Sequence, residues 1–105
     1  MVTFLSVIKH AAADCLTHNE KIRKVTLEGA SQMEELAKKH GIKIVGGWNV
    51  HPKHFQIMVF EAPNFEAMQA FHAEPPISKM LDFYTRDLYV TEPFSEMMQR
   101  WKQVY

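Results

Sequence analysis

The first ten positions place apolar residues on both faces of an extended segment. Thr3-Phe4-Leu5-Ser6-Val7-Ile8-Lys9 therefore predicts a strand covered on both sides. The period changes after Thr17-His18-Asn19-Glu20. Ile22, Val25, Gly29, Met33, Leu36 and Ala37 recur at three- and four-residue steps with charged residues between them, which predicts a helix with one packed stripe. Thr17 and Glu20 have capping-box spacing, so this helix is expected to be capped by Thr17 and to run to about His40, with Gly41 supplying the left-handed residue that ends it. A second strand follows from Ile42 to Val50. His51-Pro52-Lys53 makes a hairpin connection, and a third strand runs from Phe55 to Glu61.

Pro63-Asn64 breaks that strand, with Asn64 as the N-cap of a helix carrying Phe65, Met68 and Phe71 on one side, and Pro75-Pro76 stops it. Ile77, Met80, Leu81 and Tyr84 predict a short helix, Arg86 to Thr91 a fourth strand, and Phe94 to Tyr105 an amphipathic helix with Phe94, Met97, Met98, Trp101 and Tyr105 on one face. The order β-α-β-β-α-β plus a final helix is the split βαβ, or ferredoxin-like, α+β pattern. Right-handed crossover makes strands one and two parallel, with strand three between them and a strand order of 4-1-3-2. The 105 residues suit one domain covering 1–105.

Helices cover one face of such a sheet, and the other face here is too apolar for water. The expected assignment sends Leu5, Val7, Val45, Ile57, Val59, Leu88 and Val90 to the helices. Phe4, Ser6, Ile8, His10, Trp48, His54, Gln56, Met58, Phe60, Tyr89 and Thr91 then fall on the open face. A patch of that kind marks an interface, and two such sheets packed face to face make a dimeric α/β barrel. Ser6, Trp48, Gln56, Met58 and Tyr89 are the expected lining of a ligand pocket inside it, against the alternative of a filled interface core.

The same topology gathers chemistry at one sheet edge. His10 ends strand one, His51 ends strand two and His54 precedes strand three, while Cys15 and His18 lie in the loop leaving that edge and Arg86 and Asp87 open strand four nearby. Imidazole and thiolate together suit zinc or copper, so His10, His54, His51, Cys15 and His18 are the candidate metal ligands. The plainer alternative makes His51 a solvated turn residue, His18 a helix-start residue, and His10 and His54 a cross-strand polar pair. His40, in the last turn of a helix, complements the helix dipole.

Charge and cysteine content narrow the partners. Lysine plus arginine balance aspartate plus glutamate at a net charge of zero, which argues against nucleic acid and anionic membranes and for a small molecule, a metal ion or a second copy. A single cysteine forms no internal disulfide, and neither a signal-peptide pattern nor a run of roughly 20 apolar residues is present, so a cytoplasmic protein is expected.

In its element order, and in segments such as Gly41-Ile42-Lys43-Ile44 and Phe60-Glu61-Ala62-Pro63-Asn64-Phe65-Glu66-Ala67, the chain resembles the dimeric ferredoxin-like α/β-barrel superfamily. That superfamily includes antibiotic-biosynthesis-type monooxygenases and muconolactone-isomerase-like proteins. The resemblance covers nearly the whole chain and implies a homodimer that binds a ligand in its barrel or in the cleft between sheet and helices. It transfers no catalytic residue. Three functions follow as expectations: a dimeric protein binding a divalent metal at the histidine-rich edge; a monooxygenase- or isomerase-like enzyme on a small apolar substrate, with His10 or His54 as general base and haem as a conceivable cofactor; or a structural dimeric module.

Overall fold

Three antiparallel pairings of extended chain, rather than any helix, organise the molecule in a computed structural model that describes residues 1–15, 17–50 and 53–104. Strands β1 (Val2–Lys9), β2 (Lys43–Val50), β3 (Phe55–Ala62) and β4 (Thr85–Thr91) form one sheet in the order β2-β3-β1-β4. This is the expected ferredoxin-like α+β arrangement. His51, Pro52 and Tyr105 lie outside the described residues, and the expectations placed on them stay with the sequence.

Helix α1 (Glu20–Lys39) crosses from β1 to β2, α2 (Phe65–Ala73) and the short α3 (Ile77–Leu81) cross from β3 to β4, and α4 (Phe94–Val104) ends the chain. The cap of α1 differs from expectation. Asn19, not Thr17, accepts from the backbone N–H of Ile22 at 3.1 Å, because the Thr17 hydroxyl is engaged with Cys15 instead. Asn64 caps α2 as expected, accepting from the N–H of Ala67 at 2.8 Å. At the far end of α1, Gly41 has a φ of +71°, and the His40 ring does more than face a dipole: its Nε2 meets Glu74 Oε2 at 2.7 Å while Lys39 takes the other carboxylate oxygen at 2.6 Å. This clamp ties α1 to the α2–α3 connection.

The core sits between the sheet and α1 to α3, built from Phe4, Phe60, Ala62, Ala37, Ile42, Met68, Phe71 and Ile77. Close approach of α3 to α1 is possible because residue 29 is glycine; a Cβ there would stand 3.0 Å from the Met80 sulfur. The core composition also reverses the expected faces of β1 and β3. Phe4, Ser6, Ile8 and Phe60 are buried under the helices, and register places Met58 opposite Ser6 and Gln56 opposite Ile8 on the same side. Leu5, Val7, Ile57 and Val59 are half-buried on the open face, where Trp48 and Tyr89 join them. Leu88 and Val90 lie on the helix side as expected, opposite Ser6 and Phe4.

The reversal has a simple cause. Alternation fixes which residues of a strand share a face, but both faces of β1 and β3 are apolar, so neither pattern announces which one the helices cover. Val45 follows neither set, because a register shift between Ile44 and Gly46 puts it in a bulge, half exposed.

Candidate metal centre

The β1–β3 register runs out at Lys9 opposite Phe55, so the next residues to meet across the ladder are His10 and His54. The backbone N–H of His10 donates to the His54 carbonyl at 3.3 Å, and His54 adopts a φ of 57°, a left-handed turn conformation uncommon for a residue with a Cβ. The result brings His54 Nδ1 to 3.3 Å from His10 Nε2, with the rings edge to face at 5.2 Å. Two imidazole nitrogens that face each other share either a proton or a metal ion.

Cys15 arrives from the other side. A 3-10 turn over Ala12–Asp14 folds the chain back, and the N–H of Cys15 closes it on the Ala12 carbonyl at 3.2 Å. The Cys15 sulfur and one ring nitrogen from each histidine then lie within 4.8 Å of one another. Tetrahedral bonds of roughly 2.0–2.1 Å to zinc separate two nitrogens by about 3.3–3.4 Å, so the histidine pair already has ligand spacing and the sulfur needs to close by about an ångström.

Electrostatics favour the ligating forms. Burial, then the neighbouring His54, hold His10 below the ordinary imidazole pKa against an upward pull from Asp14, so the ring is neutral and its lone pair available. The Cys15 sulfur lies 3.1 Å from the Thr17 hydroxyl, and hydrogen bonding to Thr17 lowers the thiol pKa, favouring thiolate. His10 Nδ1 is buried without a hydrogen-bond partner among the described residues, so the ring's position is not explained by pairing of that nitrogen.

The remaining expected residues do not join this cluster. His18 is exposed and sends only its backbone N–H toward Cys15, and His51 lies outside the described residues. The five expected barrel-lining residues scatter: Ser6 is fully buried in the core with its hydroxyl unpartnered among the described residues, Tyr89 is exposed on the open face, and Trp48, Gln56 and Met58 border a depression of about 140 Å³ near β2. His10 and His54 themselves lie toward the helix-covered side rather than the open face, since His10 packs edge-on against Tyr84 at 5.6 Å and the Tyr84 hydroxyl bonds Thr26 of α1 at 2.8 Å. A cavity of about 390 Å³, bordered by His10, Asp14, Asp82 and Tyr84, adjoins the cluster. Thr17 and Tyr84 were not legible as site residues, because one tunes a thiol through a loop contact and the other acts as a wall.

No family model matches the chain, and no curated protein matches its sequence. Solved structures do match in shape. An antibiotic biosynthesis monooxygenase superposes with a TM-score of 0.58 and 9% identity, covering 89% of this chain and 98% of its own. A protein from Agrobacterium tumefaciens gives 0.57 and 12% identity over 89% and 93%, and an uncharacterized NIPSNAP domain protein from Burkholderia xenovorans gives 0.53 and 9% over 90% and 97%. At such identities the likeness is one of fold, and it extends over nearly the full length of each neighbour. The chain has the ferredoxin-like α+β fold that these solved structures share.

Proposed function

We propose that this protein binds a borderline-soft metal ion, zinc or copper, through His10, His54 and the thiolate of Cys15. The observation that carries the reading is the approach of three donor atoms, from three separate chain segments, to within 4.8 Å. Two imidazoles and one thiolate are the donors such ions prefer, and three protein ligands leave a coordination position for water or a small molecule. The cavity beside His10 supplies room at that position. A second copy of the chain completes the molecule by covering the open face of the sheet, where Leu5, Val7, Ile57, Val59, Trp48 and Tyr89 present apolar surface.

The test is metal content and zinc affinity of protein purified without a histidine tag, compared with His10→Ala and His54→Asn. Asparagine is chosen for position 54 because it tolerates the left-handed backbone there. Stoichiometric metal in the parent, with zinc affinity lowered by about 100-fold or more in either variant, supports the reading. Equal zinc affinity in all three proteins ends it.

The enzymatic alternative draws on the same geometry. A neutral His10 beside a cavity of about 390 Å³ is placed to accept a proton from a bound molecule. It differs from the metal reading in needing no Cys15, so a metal-independent turnover that survives Cys15→Ser would favour it.

A further inference from the structure

We propose that the groove between α2, α3 and β4 is a second binding site, one that takes a small carboxylate with a compact apolar body and grips it through Arg86. Arg86 enters the groove from β4, opposite Ile8 and therefore on the helix side of the sheet. One of its guanidinium nitrogens, Nη1, is buried and has no hydrogen-bond partner among the described residues. The cavity it borders measures about 420 Å³, and its described lining (Gln69, His72, Ala73, Ser78, Leu81, Tyr84 and Arg86) contains no carboxylate.

A guanidinium does not shed its proton in a protein, so it cannot relieve this situation by becoming neutral as a lysine or histidine would. The neighbouring histidine does so instead. His72 donates from Nδ1 to the Met68 carbonyl at 2.8 Å and stands edge-on to Phe60, and burial together with the Arg86 charge pushes its pKa down to about 4. Near neutral pH the groove therefore holds one positive charge, on Arg86, beside a neutral imidazole. A half-buried guanidinium with one buried, unused donor and no carboxylate in the described lining of its groove attracts an anion there.

Shape selects the kind of anion. The planar fork of a guanidinium matches a carboxylate through two parallel hydrogen bonds, and the Ser78 hydroxyl and Gln69 amide sit on the facing helices as further polar groups. Ala73, Leu81 and the Tyr84 ring add apolar surface to an otherwise polar, open wall, a footing for a compact ring that a bare inorganic ion would leave unused. The Tyr84 hydroxyl is already paired with Thr26, so it offers its ring rather than its oxygen.

Benzoate is the probe, followed by amide chemical shifts in a heteronuclear NMR titration of the full chain, with acetate and inorganic phosphate as comparison arms. Saturable shifts centred on α2, α3 and β4 are expected for benzoate, with acetate and phosphate at least about tenfold weaker. Arg86→Met, which keeps the stem and removes the charge, should weaken benzoate about tenfold or more, and Arg86→Lys, which keeps the charge and removes the fork, should weaken it as well. Cys15→Ser should bind benzoate as the parent does, which separates this site from the metal centre. Absence of saturable shifts in the parent, shifts centred elsewhere, or equal affinity in an Arg86 variant overturns the site. Phosphate binding as tightly as benzoate overturns the carboxylate assignment.

Discussion

Single side chains carry the chemistry of both proposed sites. Thr17 stabilises the thiolate of Cys15, so Thr17→Val should raise the thiol pKa and weaken metal binding about 10–100-fold, read by pH-dependent thiol alkylation and by zinc competition. His72 makes a second prediction through its depressed pKa of about 4. The unfolded chain takes up a proton near pH 6.5 and the folded chain only near 4, so the unfolded state binds more protons in between and stability falls as pH drops through that window. The loss amounts to about 3 kcal/mol at most, and His72→Gln should lose less than the parent between pH 7 and 4 in urea denaturation. An identical pH dependence in the two proteins would assign the acid lability elsewhere. At this scale the meeting of His10 and His54 was legible in the sequence, because strand order alone makes them the next rung of the β1–β3 ladder. The exclusion of His18 was not: its exposed place follows a 3-10 turn that three small and acidic residues, Ala12, Ala13 and Asp14, do not advertise.

Helix and strand types follow from periodicity, and their ends follow from whichever polar side chain wins a local competition. Thr17 and Glu20 fit a capping pattern, yet Asn19 caps α1, since the Thr17 hydroxyl bonds Cys15 and its carbonyl accepts from Arg23 at 3.2 Å. Asn19→Ala should therefore cost about 1 kcal/mol of stability in chemical denaturation, whereas Thr17→Ala should leave the helix start unchanged. A larger loss for Thr17→Ala would return the cap to that residue. The faces of β1 and β3 show a different limit. Phe4 and Leu5, or Val59 and Phe60, are equally apolar neighbours, and only the depth of packing against Met68 and Phe71 tells which belongs to the core. On β4 the alternation of charged Arg86 and Asp87 with Leu88 offered no better contrast, and the partly buried Arg86 was legible only as an edge residue.

The whole molecule measures 54 × 32 × 17 Å with a radius of gyration of 15.7 Å, against about 13 Å for a compact domain of this length. Helix α4 carries the difference in character: a bidentate pair between Arg100 and Glu92, both contacts at 2.7 Å, fixes its start, yet none of its residues is buried and Phe94 and Trp101 remain exposed. An amphipathic helix and an apolar sheet face left open in one copy are the two surfaces a second copy would cover. Light scattering should give a dimer for the parent and a monomer for Ile57→Lys, which puts a charge in the middle of the open face. A dimer that survives Ile57→Lys but is lost on deleting residues 94–105 would assign assembly to α4 instead. The fold was legible at this scale because element order and right-handed crossover leave few arrangements. The projection of α4 was not, since amphipathicity says that a helix docks without saying where.

The proposed metal centre joins the end of β1, the turn before β3 and the loop into α1, and one titration addresses it most directly. Cobalt(II) added to tag-free reduced protein should produce, at one equivalent, an intense sulfur-to-metal charge-transfer band that zinc displaces and that is missing from Cys15→Ser. A spectrum without that band, or one unchanged in Cys15→Ser, would contradict a centre made of His10, Cys15 and His54.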